Sequence, residues 1–291
     1  MNAIQIGTSG WSYPGKPPKG WDGVVYPAGM KNSKKLDFYT KLFTTCELNT
    51  SFYQIPRPEF VRSWHRRTPD DFTFSVKIYK GITHDAKLNF YKIGNDLNTF
   101  MNRMKSLDDK ITSYLLQLPP SFSKDIGQHE QDLTTFLQFW ERNWPPEKLV
   151  VEFRHLSWIK DGHLHPDTYS LLKDYEATYC IVAEPLLPPA LDLTNPRKAY
   201  VRLHGYGEKI WFNYNFSPKQ LTDWAGNVTF IQEKLKKNAK TNVYFNNHFS
   251  GYAVKNAMDL MNFLDQHVPD LSKVQDRYSP NKGQETLGKF L

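Results

Sequence analysis

The chain has 291 residues, 40% of them hydrophobic and 15% aromatic, with 37 Lys and Arg against 30 Asp and Glu, a formal charge of +7. This content is enough for a sizeable core, and no run approaches the roughly 18 consecutive apolar residues that cross a bilayer, which excludes a helical membrane span. A charge of this size permits an acidic partner such as nucleic acid without requiring one.

Met1-Asn2-Ala3-Ile4-Gln5-Ile6 enters a strand pattern at once, with no basic region followed by an apolar signal core. Strands are predicted at 4–8, 44–49, 72–77, 113–118, 149–154, 179–183, 199–204 and 243–247, with helices at 58–67, 96–107, 130–141, 166–175, 218–235 and 252–264. Ser217 before Pro218 is a helix start signal, with Ser as N-cap and Pro at the first helical position. Lysines cluster at 31–35 and 234–240, where a solvated helix face is expected. Cys46 and Cys180 fall inside apolar strand-like runs, so two buried free thiols and a cytoplasmic location are expected.

Eight strands with helical segments between many of them point to an α/β fold, a single-domain (β/α)8 TIM-like barrel over residues 1–268. An open doubly wound sheet is the alternative, but no Gly-x-Gly-x-x-Gly turn follows the first strand. The segment 269–291 is polar and aperiodic, and reads as a surface extension.

Alternation along the strands supports closure. Successive side chains of a strand point to opposite faces. Phe72, Phe74 and Val76 oppose Thr73, Ser75 and Lys77; Cys46 and Leu48 oppose Thr45, Glu47 and Asn49. Val151 and Phe153 oppose Glu152 and Arg154, and Val201 and Leu203 oppose Tyr200, Arg202 and His204. Val243 and Phe245 oppose Tyr244, Asn246 and His248. Charges buried in this way cost several kcal/mol unless they are paired or solvated in a cleft.

Several segments resemble the YecE-like family, domain of unknown function 72. They are Ile6-Gly7-Thr8-Ser9-Gly10-Trp11-Ser12-Tyr13-Pro14-Gly15, Glu47-Leu48-Asn49-Thr50-Ser51-Phe52-Tyr53, Phe74-Ser75-Val76-Lys77 followed by Ile82-Thr83-His84, and Leu116-Gln117-Leu118-Pro119-Pro120-Ser121-Phe122. Val151-Glu152-Phe153-Arg154-His155, Tyr200-Val201-Arg202-Leu203-His204-Gly205 and Tyr244-Phe245-Asn246-Asn247-His248 complete the series in the family's order. The resemblance implies a TIM-barrel-like fold without a firmly assigned activity. Its likeness to the barrel of DNA-repair endonucleases implies nucleic-acid binding as one possible role. His248 stands where the family often carries an acidic residue, and Lys16 to Trp21 is longer than the family's usual link.

Ligands of TIM barrels bind at the C-terminal ends of the strands. That mouth is expected to collect Ser9, Glu47, Asn49, Lys77, Gln117, Glu152, Arg154, Arg202, His204, Asn246 and His248, with Trp11, Tyr53, His155 and Asn247 as further ligand-binding candidates. Glu47 and Glu152, from different strands, are the candidate acid and base, and His204 is the third candidate catalytic residue. Lys77, Arg154 and Arg202 against those two glutamates leave an excess of one positive charge, so an anionic small molecule is expected as partner. A self-neutralised ion network is the competing structural reading.

Phosphate is favoured because the loops after the last two strands carry His204-Gly205-Tyr206-Gly207 and Asn247-His248-Phe249-Ser250-Gly251 ahead of a helix start. With cations among His155, His204, His248 and His84, no metal site is expected, and no motif calls for a cofactor. The expected function is a metal-independent hydrolase or lyase acting on a phosphorylated or other anionic substrate. The alternative is a non-catalytic nucleic-acid-binding barrel.

Overall fold

The computed structural model describes residues 3–279. Its centre is one parallel eight-stranded sheet made of β1 (Ala3–Thr8), β2 (Thr45–Leu48), β3 (Thr73–Lys77), β4 (Ile111–Gln117), β5 (Leu149–Glu152), β6 (Thr178–Ala183), β7 (Lys198–Leu203) and β8 (Lys240–Phe245). Neighbours pair in sequence from β2 round to β8, and β8 pairs with β1. The remaining seam, between β1 and β2, narrows to a parallel bridge from Ser9 to Glu47, with the Gly10 N–H donating to the Glu47 carbonyl at 2.7 Å. The result is the nearly closed (β/α)8 barrel that the alternation of elements implies.

Two side-chain devices hold that seam. The Tyr39 hydroxyl accepts the Thr8 N–H at 2.9 Å and donates to the Thr45 carbonyl at 3.1 Å, so one buried phenol staples both strands. Gly7 permits the approach, because a Cβ there would lie 2.4 Å from the Thr45 carbonyl oxygen.

The helices are α1 (Lys35–Tyr39), α2 (Thr50–Tyr53), α3 (Pro58–Arg66), α4 (Phe90–Met104), α5 (Gly127–Asn143), α6 (Pro166–Asp174), α7 (Pro218–Lys234), α8 (Tyr252–Phe263) and α9 (Leu271–Tyr278). The larger ones bury an apolar stripe against the outer face of the sheet, such as Leu133, Phe136, Leu137 and Trp140 of α5. Ser217 caps α7 as its sequence implies, in a reciprocal capping box with Gln220. The helix expected at 96–107 begins six residues earlier, at Phe90, whose ring packs on Phe139 of α5 at 4.7 Å. That contact outweighs the propensity cost of Gly94 within the first turns. Lys35, expected on a solvated face, is instead buried and paired with Asp22 at 2.6 Å. Within the expected surface extension, α9 buries Val274 and donates from Gln275 to the carbonyls of Val24 and Val25; residues 280–291 lie outside the described residues.

Inside the barrel the side chains form layers. At the N-terminal end the buried Lys198 donates to the carbonyls of Thr112 at 2.5 Å and Glu147 at 3.0 Å. The middle is an apolar plug of Leu115, Val150, Cys180, Val182, Tyr200 and Tyr244. Cys46 and Cys180 are buried free thiols. Among the described residues no helix is long and apolar enough to cross a membrane.

Candidate active site

Above the plug, the C-terminal strand ends place charge inside the barrel, and Arg202 from β7 is its centre. Its Nε and Nη2 form a two-point pair with Glu47 at 2.9 and 2.7 Å. Nη1 donates to Glu152 at 2.5 Å and to the Gln117 amide oxygen at 3.2 Å. Glu47 also accepts from Ser9 Oγ and from the Tyr200 hydroxyl, both at 2.7 Å. Tyr200 is in turn 2.6 Å from Ser75 Oγ, so the network reaches down into the barrel. Arg202, Glu47 and Glu152 are all fully buried.

Burial pushes both glutamates toward protonation, but the Arg202 guanidinium and their hydrogen bonds outweigh it. Glu47 is held below its ordinary range and Glu152 well below. A carboxylate so thoroughly bonded and so acidic is a poor proton carrier. This inner part of the mouth matches the self-neutralised network that the sequence left open, and Arg202 has no free edge for a ligand.

Arg154 extends the network outward. Its Nη1 contacts Glu152 at 3.0 Å, its Nη2 pairs with Glu184 at 2.5 Å, and its guanidinium lies 5.4 Å from the centre of the Trp211 ring. The side chain keeps 10% of its surface exposed. His204 Nε2 lies 3.3 Å from Arg154 Nη1, 3.4 Å from Arg202 Nη1 and 3.5 Å from Glu152 Oε1, while Nδ1 is 2.9 Å from the Asn246 amide nitrogen. Burial, reinforced by the two arginines, drives His204 down to about 4, so the imidazole is neutral at pH 7.

Glu184 is the residue that the sequence reading missed. It lies one step beyond the predicted end of β6, on the inward parity of Cys180 and Val182. Extending that alternation by one residue would have found it. Arg154 is the one partner of the Glu184 carboxyl among the described residues, and Glu184 Oε1 has none. Burial, with the nearby Glu152 charge adding to it, raises Glu184 to about 7 against the pull of Arg154. Its carboxyl also corrects the charge balance. Glu47, Glu152 and Glu184 match Lys77, Arg154 and Arg202, so the expected positive excess disappears.

Lys77 ends β3 on the same inward face and is only 8% exposed. Its Nζ sits 3.8 Å from the centre of the Phe52 ring. Burial and the charge of Arg202 lower it to about 7, against the opposing pull of Glu152 and Glu47. Phe52 touches His84 edge-on at 4.8 Å, in a π-helical turn, Gly81–Asp85, that follows β3. His84 itself is driven down to about 4, first by burial and then by Lys77.

Of the remaining candidates, Asn49 reaches the inner face with a buried Oδ1 that has no partner, and Tyr53 is 70% exposed at the rim. Four lie elsewhere. Trp11 packs edge-on against Trp64 and Phe74 on the outer side of the barrel wall. His155 caps a short turn, accepting the Ser157 N–H at 3.2 Å. Asn247 is fully buried and bonds the Tyr214 carbonyl and Asn256. His248 is stacked between Tyr13 at 4.3 Å and Phe212 at 4.9 Å. The expected phosphate cradle is also filled by the chain itself. A Cβ on Gly205 would lie 2.5 Å from Tyr214 Cβ, one on Gly207 would lie 2.2 Å from the Ile210 carbonyl oxygen, and the Ser250 N–H is bound to the Pro18 carbonyl at 2.7 Å. Among the described residues no three His, Cys, Asp or Glu side chains are arranged to hold a metal ion.

Comparison with known proteins agrees with the barrel. A DUF72 protein from Thermotoga maritima is 29% identical and superposes with a TM-score of 0.76 over 91% of this chain and 100% of its own. One from Enterococcus faecalis, 21% identical, shares the fold with a TM-score of 0.73 over 92% of this chain and 99% of its own. The UPF0759 protein YunF of Bacillus subtilis is 25% identical over 94% of this chain and 98% of its own length. The UPF0759 protein YecE of Escherichia coli is 41% identical over a shorter stretch, 30% of this chain and 31% of its own. The family model described as protein of unknown function DUF72 matches residues 5–281, and the chain belongs to that family.

Proposed function

We propose that the barrel mouth is the active site of a metal-independent enzyme, of lyase type, that moves protons on a small anionic molecule. One observation carries this reading. Lys77 and Glu184 end strands three staves apart around one mouth, Lys77 with no carboxylate in contact and Glu184 with Arg154 as its one ion-pair partner among the described residues, whereas Arg202 and Glu47 are held by several bonds each; burial shifts both Lys77 and Glu184 to about 7. Acid–base catalysis is most effective when the catalytic pKa lies near the working pH, and paired groups with displaced values mark such sites. The acid and base roles therefore fall to Glu184 and Lys77 rather than to Glu47 and Glu152. His204 keeps a place in the mouth as a neutral imidazole between Glu152 and the two arginines. With the mouth balanced in charge, Arg154 and Lys77 are the individual groups that an anion would meet, with Tyr53, Phe52 and Trp211 as apolar contacts. The oxygens of Glu47 and Glu152 are already occupied by Arg202 and Arg154, which leaves them poor metal ligands. Buried free cysteines favour a reducing compartment, the cytoplasm.

Calorimetry against a panel of small carboxylates and phosphate esters tests the reading. A binder whose affinity falls at least about tenfold in Lys77→Met, and not in the exposed Lys255→Met, supports it. A binder indifferent to Lys77→Met, or preferential binding of single-stranded oligonucleotide with a steep salt dependence, replaces it with the nucleic-acid-binding alternative.

A further inference from the structure

Lys77 differs from the other cations of the mouth in having no counter-ion in contact. The oxygens of Glu47 and Glu152 are spent on Arg202, Arg154, Ser9 and Tyr200. Among the described residues no carboxylate pairs with its Nζ, whose close neighbour is the face of Phe52. The Ser51 hydroxyl fixes the Lys77 carbonyl at 2.7 Å, so the backbone that presents the amine is held in place.

Lys198 is an internal control. It is buried to the same 8% and points into the same barrel from the opposite end. Its nitrogen is tied to two backbone carbonyls, as a structural lysine requires. A structural role for Lys77 would call for similar acceptors in contact, and its contact is an aromatic ring, with Arg202 and Arg154 and the already paired Glu152 and Glu47 acting on it from further off. An amine largely buried, without a carboxylate in contact and beside other cations has its lone pair available, which is the environment of nucleophilic lysines.

We infer that Lys77 is the nucleophile of the mouth, its Nζ forming an imine with the aldehyde or ketone carbonyl of a small anionic substrate. This rests on the reading of the mouth as an active site, and names the substrate class that the site takes. The Nζ lone pair forms the new C–N bond as the C=O π electrons move onto oxygen. That oxygen departs as water with two protons, one from Nζ and one from the mouth, and leaves a protonated iminium. No oxidant or reductant takes part. The cationic C=N then accepts the electron pair released when a neighbouring C–C or C–H bond breaks, which is lyase chemistry.

Reductive trapping tests the step on the full chain. The protein is incubated at pH 7 with pyruvate, glyoxylate or glyceraldehyde 3-phosphate and sodium cyanoborohydride, and adducts are located by peptide mass spectrometry. The expected result is one adduct at Lys77, formed at least about tenfold faster than on any surface lysine because more of the amine is neutral, and missing from Lys77→Arg. Labelling spread over the exposed lysines, or unchanged in Lys77→Arg, overturns the proposal. An unlabelled Lys77 in a protein whose mouth still binds one of these probes, with affinity weakened by Lys77→Met, overturns the imine and leaves the active-site reading intact. If none of them binds and Lys77 is unlabelled, both fail. Far-UV circular dichroism of each variant establishes that it is folded.

Discussion

The two ends of the barrel solve the same problem, a lysine buried inside a sheet, in opposite ways. Lys198 at the N-terminal end and Lys77 at the C-terminal end are both driven down to about 7, chiefly by burial. Lys198 is satisfied by the carbonyls of Thr112 and Glu147, whereas Lys77 faces the ring of Phe52 and, among the described residues, has no carboxylate in contact. Depressed basicity thus does not mark function by itself. What separates the two lysines is whether neighbouring atoms consume the hydrogen-bonding capacity of the amine. The same contrast divides the mouth, where Arg202 is fully used and Arg154, Glu184 and Lys77 are not.

The largest way to test that division is Arg202→Met. Removing the shared cation strands Glu47 and Glu152 without their main partner, and a loss of about 3–5 kcal/mol in urea unfolding is expected. A loss below about 1 kcal/mol would mean that the inner network is not a structural unit. Gly7→Ala comes next. Its Cβ would meet the Thr45 carbonyl at 2.4 Å, so the seam must open, at a cost of about 1–3 kcal/mol measured the same way.

The two lysines then give a direct contrast. Lys198→Met leaves two buried carbonyl groups without a donor and is expected to cost about 1–3 kcal/mol. Lys77→Met removes a buried charge that has no partner, and stability should stay within about 1 kcal/mol of wild type, or rise. Equal losses for the two variants would erase the distinction drawn above.

The last test is one of slope. For both lysines the folded value of about 7 lies below the ordinary 10.5. Their contribution is therefore complete above the unfolded value and is lost as pH falls toward 7, so stability rises with pH across that window. Each lysine adds about 1.4 kcal/mol per pH unit to the slope there, and Lys77→Met should remove one lysine's share of that slope between roughly pH 7.5 and 9.5. Chemical denaturation at a series of pH values reads this out, and an unchanged slope would contradict the depressed basicity of Lys77.

Much of the fold was legible in the chain. Alternation of apolar and polar residues on β2, β3, β5, β7 and β8 assigned inner and outer faces, and Ser9, Glu47, Lys77, Gln117, Glu152, Arg154, Arg202, His204 and Asn246 do converge at one end of one barrel. Element boundaries were less legible, because contacts such as Phe90 on Phe139 lengthen a helix beyond its local propensity. Trp11 and His248 were misplaced because loops beyond a strand end do not keep its parity. Each is held by aromatic neighbours distant in sequence, Trp64 for the first and Phe212 for the second.

The sequence by itself determined which strand-end residues face inward, since side-chain direction along a strand is a local property of the backbone. Only the tertiary structure decided which of those residues are free to act. Pairing depends on which strands meet across the barrel: Arg202 of β7 reaches Glu47 of β2, and Arg154 reaches Glu184, while Lys77 reaches no carboxylate among the described residues. The available chemistry of a buried charge is set by what its neighbours leave unsatisfied, and those neighbours are brought together by the closed sheet rather than by the order of the chain.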